Sequence, residues 1–178
     1  MRDLYRIDLS ETTTLDELYI DCCRYYDRCW VTYGPVADIF VRNFNIRSLS
    51  IPLYNGFPHD IFEKLKCLKS LRLDIKYSGS EGHLEKVAAN LKMTALEDVD
   101  IFSNTWCRRV DDLNEFLQKL SENALHLKHL SIAHDFAMLD AYPLSSLQML
   151  NLTSLRWIDE HPHLYEEIPK MQPNLTHL

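Results

Sequence analysis

The sequence predicts an α/β fold of solenoid type. Short parallel strands follow one another in chain order, and return helices lie behind them in a right-handed, horseshoe-like arc. Three observations predict it. The pattern apolar-x-x-apolar-x-apolar recurs along the 178 residues. Between its copies the apolar period changes from 2 to 3.6. Within each copy one strand face is polar, whereas strands covered on both faces read as continuous Val/Ile/Leu runs.

Each element can be placed in turn. "LYRIDL" (Leu4, Ile7, Leu9) precedes Leu15 by too few residues for a strand, a helix and two turns, so residues 1–14 read as a cap strand joined through "SETTT". "LDELYI" (Leu15, Leu18, Ile20) is the first full copy. "PVADIFVRNF" then puts Val36, Ile39, Phe40 and Phe44 on one helical face. "IRSLSI" (Ile46, Leu49, Ile51) is followed by "PHDIFEKL", with Ile61, Phe62 and Leu65 as its stripe. "LKSLRL" (Leu68, Leu71, Leu73) is followed by "HLEKVAANL", with Leu84, Val87, Ala88 and Leu91. "LEDVDI" (Leu96, Val99, Ile101) leads to "VDDLNEFLQKL", with Val110, Leu113, Phe116, Leu117 and Leu120. Asp112 and Glu115 have capping-box spacing at the start of that helix. "LKHLSI" (Leu127, Leu130, Ile132) and "LQMLNL" (Leu147, Leu150, Leu152) complete the strands. A last helix, "PHLYEEI", carries Leu164, Tyr165 and Ile168 before "LTHL" (Leu175, Leu178). Pro35, Pro58 and Pro162 each open a helical stretch, where a missing N–H has no partner to lose.

From Leu15 the copies begin 31, 22, 28, 31, 20 and 28 residues apart. Such periods mark stacked repeats, each burying its apolar face only against its neighbours. The expectation is one parallel sheet, in chain order, with strands at 46–52, 68–74, 96–102, 127–133 and 147–153. The whole chain, 1–178, reads as a single domain. Its end within a copy, with Leu175 and Leu178 left exposed or frayed, reads as that of a fragment of a longer array or of an isoform that ends abruptly.

The repeat resembles the leucine-rich repeat family, in the longer helix-backed form of ribonuclease-inhibitor-like and F-box substrate-receptor proteins. The resemblance covers Leu15 to Leu178. The family pattern LxxLxLxxN/C places Asn or Cys at the turn after the strand. Cys23 and Asn104 stand there and Asp135 could substitute, while Tyr54, Lys76 and Leu155 depart from the pattern. "QPNLTHL" is similar to the start of a repeat in F-box proteins. "FPHDIFEKLKCL" faintly resembles the opening of an F-box but sits where a backing helix belongs, and is assigned to the repeat. The resemblance implies protein recognition, and membership of a cullin ligase only where an F-box lies outside this chain.

The net charge of −7 argues against nucleic acid or an anionic membrane as the main partner. No apolar run is long enough to cross a membrane, and "MRDLYRIDLSE" lacks the apolar core of a secretory signal. The five cysteines, Cys22, Cys23, Cys29, Cys67 and Cys107, are odd in number and show no zinc spacing. They read as thiols of a reducing compartment, cytoplasmic or nuclear. Two sequons, at Asn151 and Asn174, are discounted, the first because it falls in an expected strand.

Catalytic readings find little support. His161 and His163 flank Pro162 beside Asp159 and Glu160, the composition of a loop at a helix start. His126, His129 and His134 surround one strand without the geometry of a metal site. Asp98 and Asp100 share a strand face, which favours a binding patch over an acid–base pair. No phosphate loop, nucleophile elbow or HExxH motif occurs, and the four glycines leave little material for a phosphate cradle. No cofactor or metal is expected, and no enzymatic activity.

Function is expected on the open sheet face. Residues between the apolar ones line it: Glu17, Tyr19, Asp21, Ser48, Ser50, Ser70, Arg72, Asp74, Asp98, Asp100, Phe102, His129, Ser131, Met149, Asn151 and Thr153. Its middle is acidic through Asp74, Asp98 and Asp100, partly offset by Arg72, which suits a partner with a basic segment. Tyr19 and Phe102 are candidate aromatic anchors, and Trp106 and Trp157 fall on the loop rim. The leading expectation is a non-catalytic interaction module, the substrate-recognition part of an F-box-type ubiquitin-ligase adaptor. Alternatives are a repeat scaffold or immune-type receptor ectodomain, or, with less support, a GTPase-activating repeat protein.

Overall fold

The computed structural model describes residues 15–20, 39–40, 42–53, 57–75, 83–91, 95–103, 110–134, 152–158, 170 and 174–177. Six strands form one all-parallel sheet whose spatial order is the chain order. They are β1 (Glu17–Tyr19), β2 (Ser48–Leu53), β3 (Ser70–Ile75), β4 (Asp98–Ser103), β5 (His129–His134) and β6 (Ser154–Ile158). A 3-10 helix, η1 (His59–Lys64), lies between β2 and β3. Helices α1 (His83–Asn90) and α2 (Val110–Asn123) follow β3 and β4. This is an α/β fold with a single open sheet. Its expected sequential parallel order is observed.

Register follows the sequence pattern. Leu18, Leu49, Leu71, Val99, Leu130 and Leu155 pair in one column. Ile51, Leu73, Ile101 and Ile132 pair in the next. From β2 to β6 the first column is buried, and the second is buried from β2 to β5. Against them pack Phe40, Ile61, Phe62, Leu65, Leu84, Val87, Ala88, Leu91, Phe116, Leu117 and Leu120, which form one continuous core. At about 25 cal/mol per Å² of apolar area, this core is the main favourable contribution to the fold.

A repeated backbone bond sets each strand on the next. One residue before each of the first five strands, a carbonyl accepts two N–H groups, from the first residue of the next strand and the residue preceding it. Arg47 O receives Lys69 N at 2.8 Å and Ser70 N at 2.9 Å. Lys69 O receives Glu97 N and Asp98 N, Glu97 O receives Lys128 N and His129 N, and Lys128 O receives Thr153 N and Ser154 N. Asp16 O does the same for Arg47 N and Ser48 N. Identical geometry at every step explains why strands separated by unequal loops share one register.

Asn43 is a buried polar residue, 2% exposed, at the end of the helical residues before β2. Its Oδ1 accepts Leu15 N–H at 3.1 Å and its Nδ2 donates to Ile39 O at 2.9 Å. It thereby ties the chain leading into β1 to the element behind it. Asn123 acts similarly between helices, its Nδ2 donating to Ala88 O at 2.9 Å.

Several expectations are corrected. The last strand lies at Ser154–Ile158, not at 147–153. The sequence holds two overlapping frames, 147–152 and 152–157, and the second is used. It puts Leu152 at the first apolar position, giving spacings of 25 from Leu127 and 23 to Leu175, more even than 20 and 28. Leu155 is accordingly a buried strand residue rather than a degenerate turn position. The equivalent of Leu130 is Leu155, and Leu150 lies outside the described residues. Phe44 leaves its expected apolar stripe and is 56% exposed in a turn, because the helical residues end at Arg42. α2 begins at Val110, so Asp112 lies within the helix and is not its cap. The helix expected in "PHDIFEKL" is the short 3-10 helix η1, with Pro58 as its N-cap. Leu175 packs partly buried against the core, and His177 forms a parallel bridge to Ser154, so this stretch continues the sheet rather than fraying. The cap-strand region 1–14, the cysteines other than Cys67, His161, His163 and the stretch 162–168 lie outside the described residues. Cys67 is a free, exposed thiol. No helix among the described residues is long and apolar enough to cross a membrane.

Candidate functional site

The polar sheet face is built from three cross-strand rows. The first runs Glu17, Ser48, Ser70, Asp98, His129, Ser154, and the bridge adds His177. The second runs Tyr19, Ser50, Arg72, Asp100, Ser131, Arg156. The third runs Pro52, Asp74, Phe102, Ala133 and, by register, Ile158. Neighbouring positions in a row stand about 4.8 Å apart, the spacing of paired strands. Side chains on such a ladder are held in a fixed grid.

Asp74, Asp98 and Asp100 do not form a single row. Each occupies a different one, so the three carboxylates run diagonally over β3 and β4. Arg72 Nε lies 3.7 Å from Asp100 Oδ2, and His129 Nε2 lies 3.9 Å from Asp98 Oδ1. Both pairs are well exposed to solvent. Each is therefore worth at most about 1 kcal/mol, and neither fixes the strand. Among the described residues of this face the acidic side chains Glu17, Asp74, Asp98 and Asp100 stand with the basic Arg72 and Arg156. Tyr19 is 68% exposed and Phe102 is 39% exposed, so both expected aromatic anchors lie open. Phe102 stands in register with Asp74, which puts an apolar ring beside a carboxylate.

The shifted last strand changes the far side of the grid. Trp157 falls inside β6 in register with Ile132, not on a loop rim. Thr153 stands one residue before β6, where its Oγ1 donates to Lys128 O at 3.2 Å. Asp21, Trp106, Met149 and Asn151 lie outside the described residues. Ser154 and Arg156 take the outward positions instead. Sequence reasoning missed Arg156 because Trp157 occupies the last apolar slot and disguises "LTSLRW" as something other than a repeat.

A second polar feature runs along the N-terminal edge of the sheet. The residues one before each strand are Asp16, Arg47, Lys69, Glu97, Lys128 and Thr153, with Thr176 hydrogen-bonded beyond them. Glu97 accepts from Lys69 at 3.2 Å and from Lys128 at 2.8 Å. The two ammonium groups hold its carboxyl below the ordinary value, Lys128 contributing most. Glu97 in turn raises the Lys128 ammonium above its usual range. Arg47 meets Asp16 at 4.0 Å. Beyond Lys128 the row continues through hydroxyls, Thr176 Oγ1 donating to Thr153 O at 2.9 Å.

No group of three or more potential metal ligands occurs among the described residues. No family model, no curated protein and no solved structure matches this chain.

Proposed function

We propose that this chain is a non-catalytic protein-binding module built of leucine-rich repeats, and that the sheet's polar face receives the partner. One observation carries the reading. The same apolar-x-x-apolar-x-apolar pattern buries one face of the consecutive parallel strands β2 to β5, continues part-buried into β1, and leaves on the other face a regular grid with two open aromatic rings. A grid fixed by the backbone loses little freedom on binding, so more of the contact energy appears as affinity. Charge selects a basic segment on the partner, meeting Asp98 and Asp100 at the centre and the ring of Phe102 beside Asp74. Only were an F-box joined to this chain would the module fit a substrate receptor of the F-box type, docked on a cullin-ligase adaptor. The horseshoe arc, with this face concave, is part of the same reading.

A second reading, a repeat ectodomain of a secreted receptor, draws on Asn174. That residue of an Asn-Leu-Thr sequon is exposed in a turn, where a glycan has room.

The test is capture of partners from cell lysate, followed by affinity measurement with Asp98→Lys/Asp100→Lys. Like charges facing each other across an interface cost several kcal/mol, so the captured partner should bind at least tenfold more weakly. Unchanged affinity refutes the assignment of the face.

A further inference from the structure

The N-terminal edge of the sheet differs in charge from the rest of the molecule. In a chain of net charge −7, four exposed cations, Arg47, Lys64, Lys66 and Lys69, lie in the stretches just before β2 and β3, and with Lys128 they outnumber the acids of the same edge, Asp16, Asp60, Glu63 and Glu97, by one. Arg47 and Lys69 occupy successive steps, joined by the bond from Lys69 N to Arg47 O at 2.8 Å. Like charges on adjacent steps of a ladder repel each other. One step beyond Lys69 the row carries a carboxylate, Glu97, which sits between Lys69 and Lys128 and binds both. Among the described residues none stands between Arg47 and Lys69 in this way. Asp16 stands on the other side of Arg47, and Asp60 and Glu63 belong to η1.

The turns just before these strands add an apolar component. Residues 44–45, 66–67 and 125–126 form equivalent turns, each leading to the first apolar residue of its repeat. The turns at 44–45 and 66–67 lie side by side, with Cys67 Sγ 3.9 Å from Asn45 Oδ1. Phe44 is therefore the neighbour of Lys66. Leu125, 81% exposed, holds the same turn position three steps on, about 14 Å away at strand spacing.

We propose that this edge is a second docking surface, for an acidic segment of a partner protein. The segment places a carboxylate between Arg47 and Lys69, as Glu97 does between Lys69 and Lys128. Lysine ammoniums carry three donors each, so Lys69 can serve Glu97 and an incoming carboxylate together. An extended segment rises about 3.3 Å per residue, so side chains four apart span about 13 Å and reach both Phe44 and Leu125. Charge complementarity selects the occupant. An anionic membrane or a nucleic acid presents its charge over a wide front and meets the negative remainder of the molecule, whereas a single acidic strand meets only the edge. This surface is independent of the outward sheet face, and the two can be tested apart.

The experiment measures binding of a labelled synthetic peptide of alternating Glu and Leu to the full chain at low salt. Saturable binding that weakens as salt is added is expected. Arg47→Glu/Lys69→Glu should weaken it at least tenfold, and Asp98→Lys/Asp100→Lys should leave it undiminished. Should the first variant fold poorly through loss of the Glu97 contact, Lys64→Glu/Lys66→Glu touches neither ion pair of the row and should weaken binding at least threefold. No saturable binding by the wild type, or equal affinity in the edge variants, overturns the proposal. Binding to anionic vesicles or single-stranded RNA in place of the peptide overturns the choice of partner.

Discussion

Leu125 and Leu130 lie five residues apart and offer a matched pair. Leu130 is 1% exposed, in register between Val99 and Leu155, and belongs to the continuous core. Leu125 is 81% exposed in a turn. The same substitution, leucine to alanine, removes the same three carbons from both. At Leu130 the transfer contribution is about 2.4 kcal/mol, at about 0.8 kcal/mol per buried carbon. The cavity left between two paired strands adds to it, so the expected loss is about 2–5 kcal/mol. For a domain of this size that lowers the thermal midpoint by roughly 4–20 °C, at about 2–4 °C per kcal/mol. At Leu125 the loss should stay within about 0.5 kcal/mol. Urea unfolding followed by circular dichroism, with the slope compared across variants, measures both. Equal losses at the two positions, or a loss below about 1 kcal/mol at Leu130, would refute the register and with it the assignment of faces.

Three further outcomes are expected. Glu97, whose carboxyl is held below its ordinary 4.5, contributes stability that is present above that value and lost as the pH falls through its folded value. Glu97→Gln should therefore narrow its gap from the wild type as melting is followed from neutral to strongly acid pH, and a gap of constant size would count against the clasp. Asn43→Ala leaves the Leu15 N–H without its acceptor at a buried site, a loss of about 1–3 kcal/mol. Hydrogen exchange should show faster exchange at Leu15, and unchanged exchange there would contradict the role. Leu155→Ala should cost about 2–5 kcal/mol by chemical denaturation, as at Leu130, and a negligible cost would move the last strand back toward 147–153.

The parts of the fold legible in the sequence are those fixed by alternation. Leu49, Leu71, Val99 and Leu130 announce their strands because a polar residue stands on either side of the buried one, and that pattern admits one face only. The helix stripes at Leu84, Val87, Ala88 and Leu91 are equally plain. Legibility fails where two frames compete. "LQMLNL" matches the pattern better than "LTSLRW", yet the second supplies the strand that pairs with β5, and pairing across space is not a property of a hexapeptide. Phe44 was misread for a related reason: helical periodicity continues past the point where the chain turns. On the polar face, which side chains look outward follows from alternation alone. The contacts of Asp100 with Arg72 and of Asp98 with His129 depend on cross-strand register, which no single strand contains. The clasp on Glu97 was invisible on the same ground, its three members being drawn from three separate repeats.

The doubled acceptor that joins each strand to the next bears on how the molecule yields to force. Each strand is bonded to the next one in the chain and to the one before it, and to no other strand. A pull applied across the sheet from one end loads the outermost junction alone, and the bonds there open in sequence like teeth. A pull along the strands loads every bond of a junction at once, in shear. The sheet is therefore weak across its strands and strong along them. Of its junctions, the one held by the three residues of β1 and anchored through Asn43 has the least to break. A partner that tugs on that end while bound elsewhere would strip the first strand and leave the rest of the ladder standing.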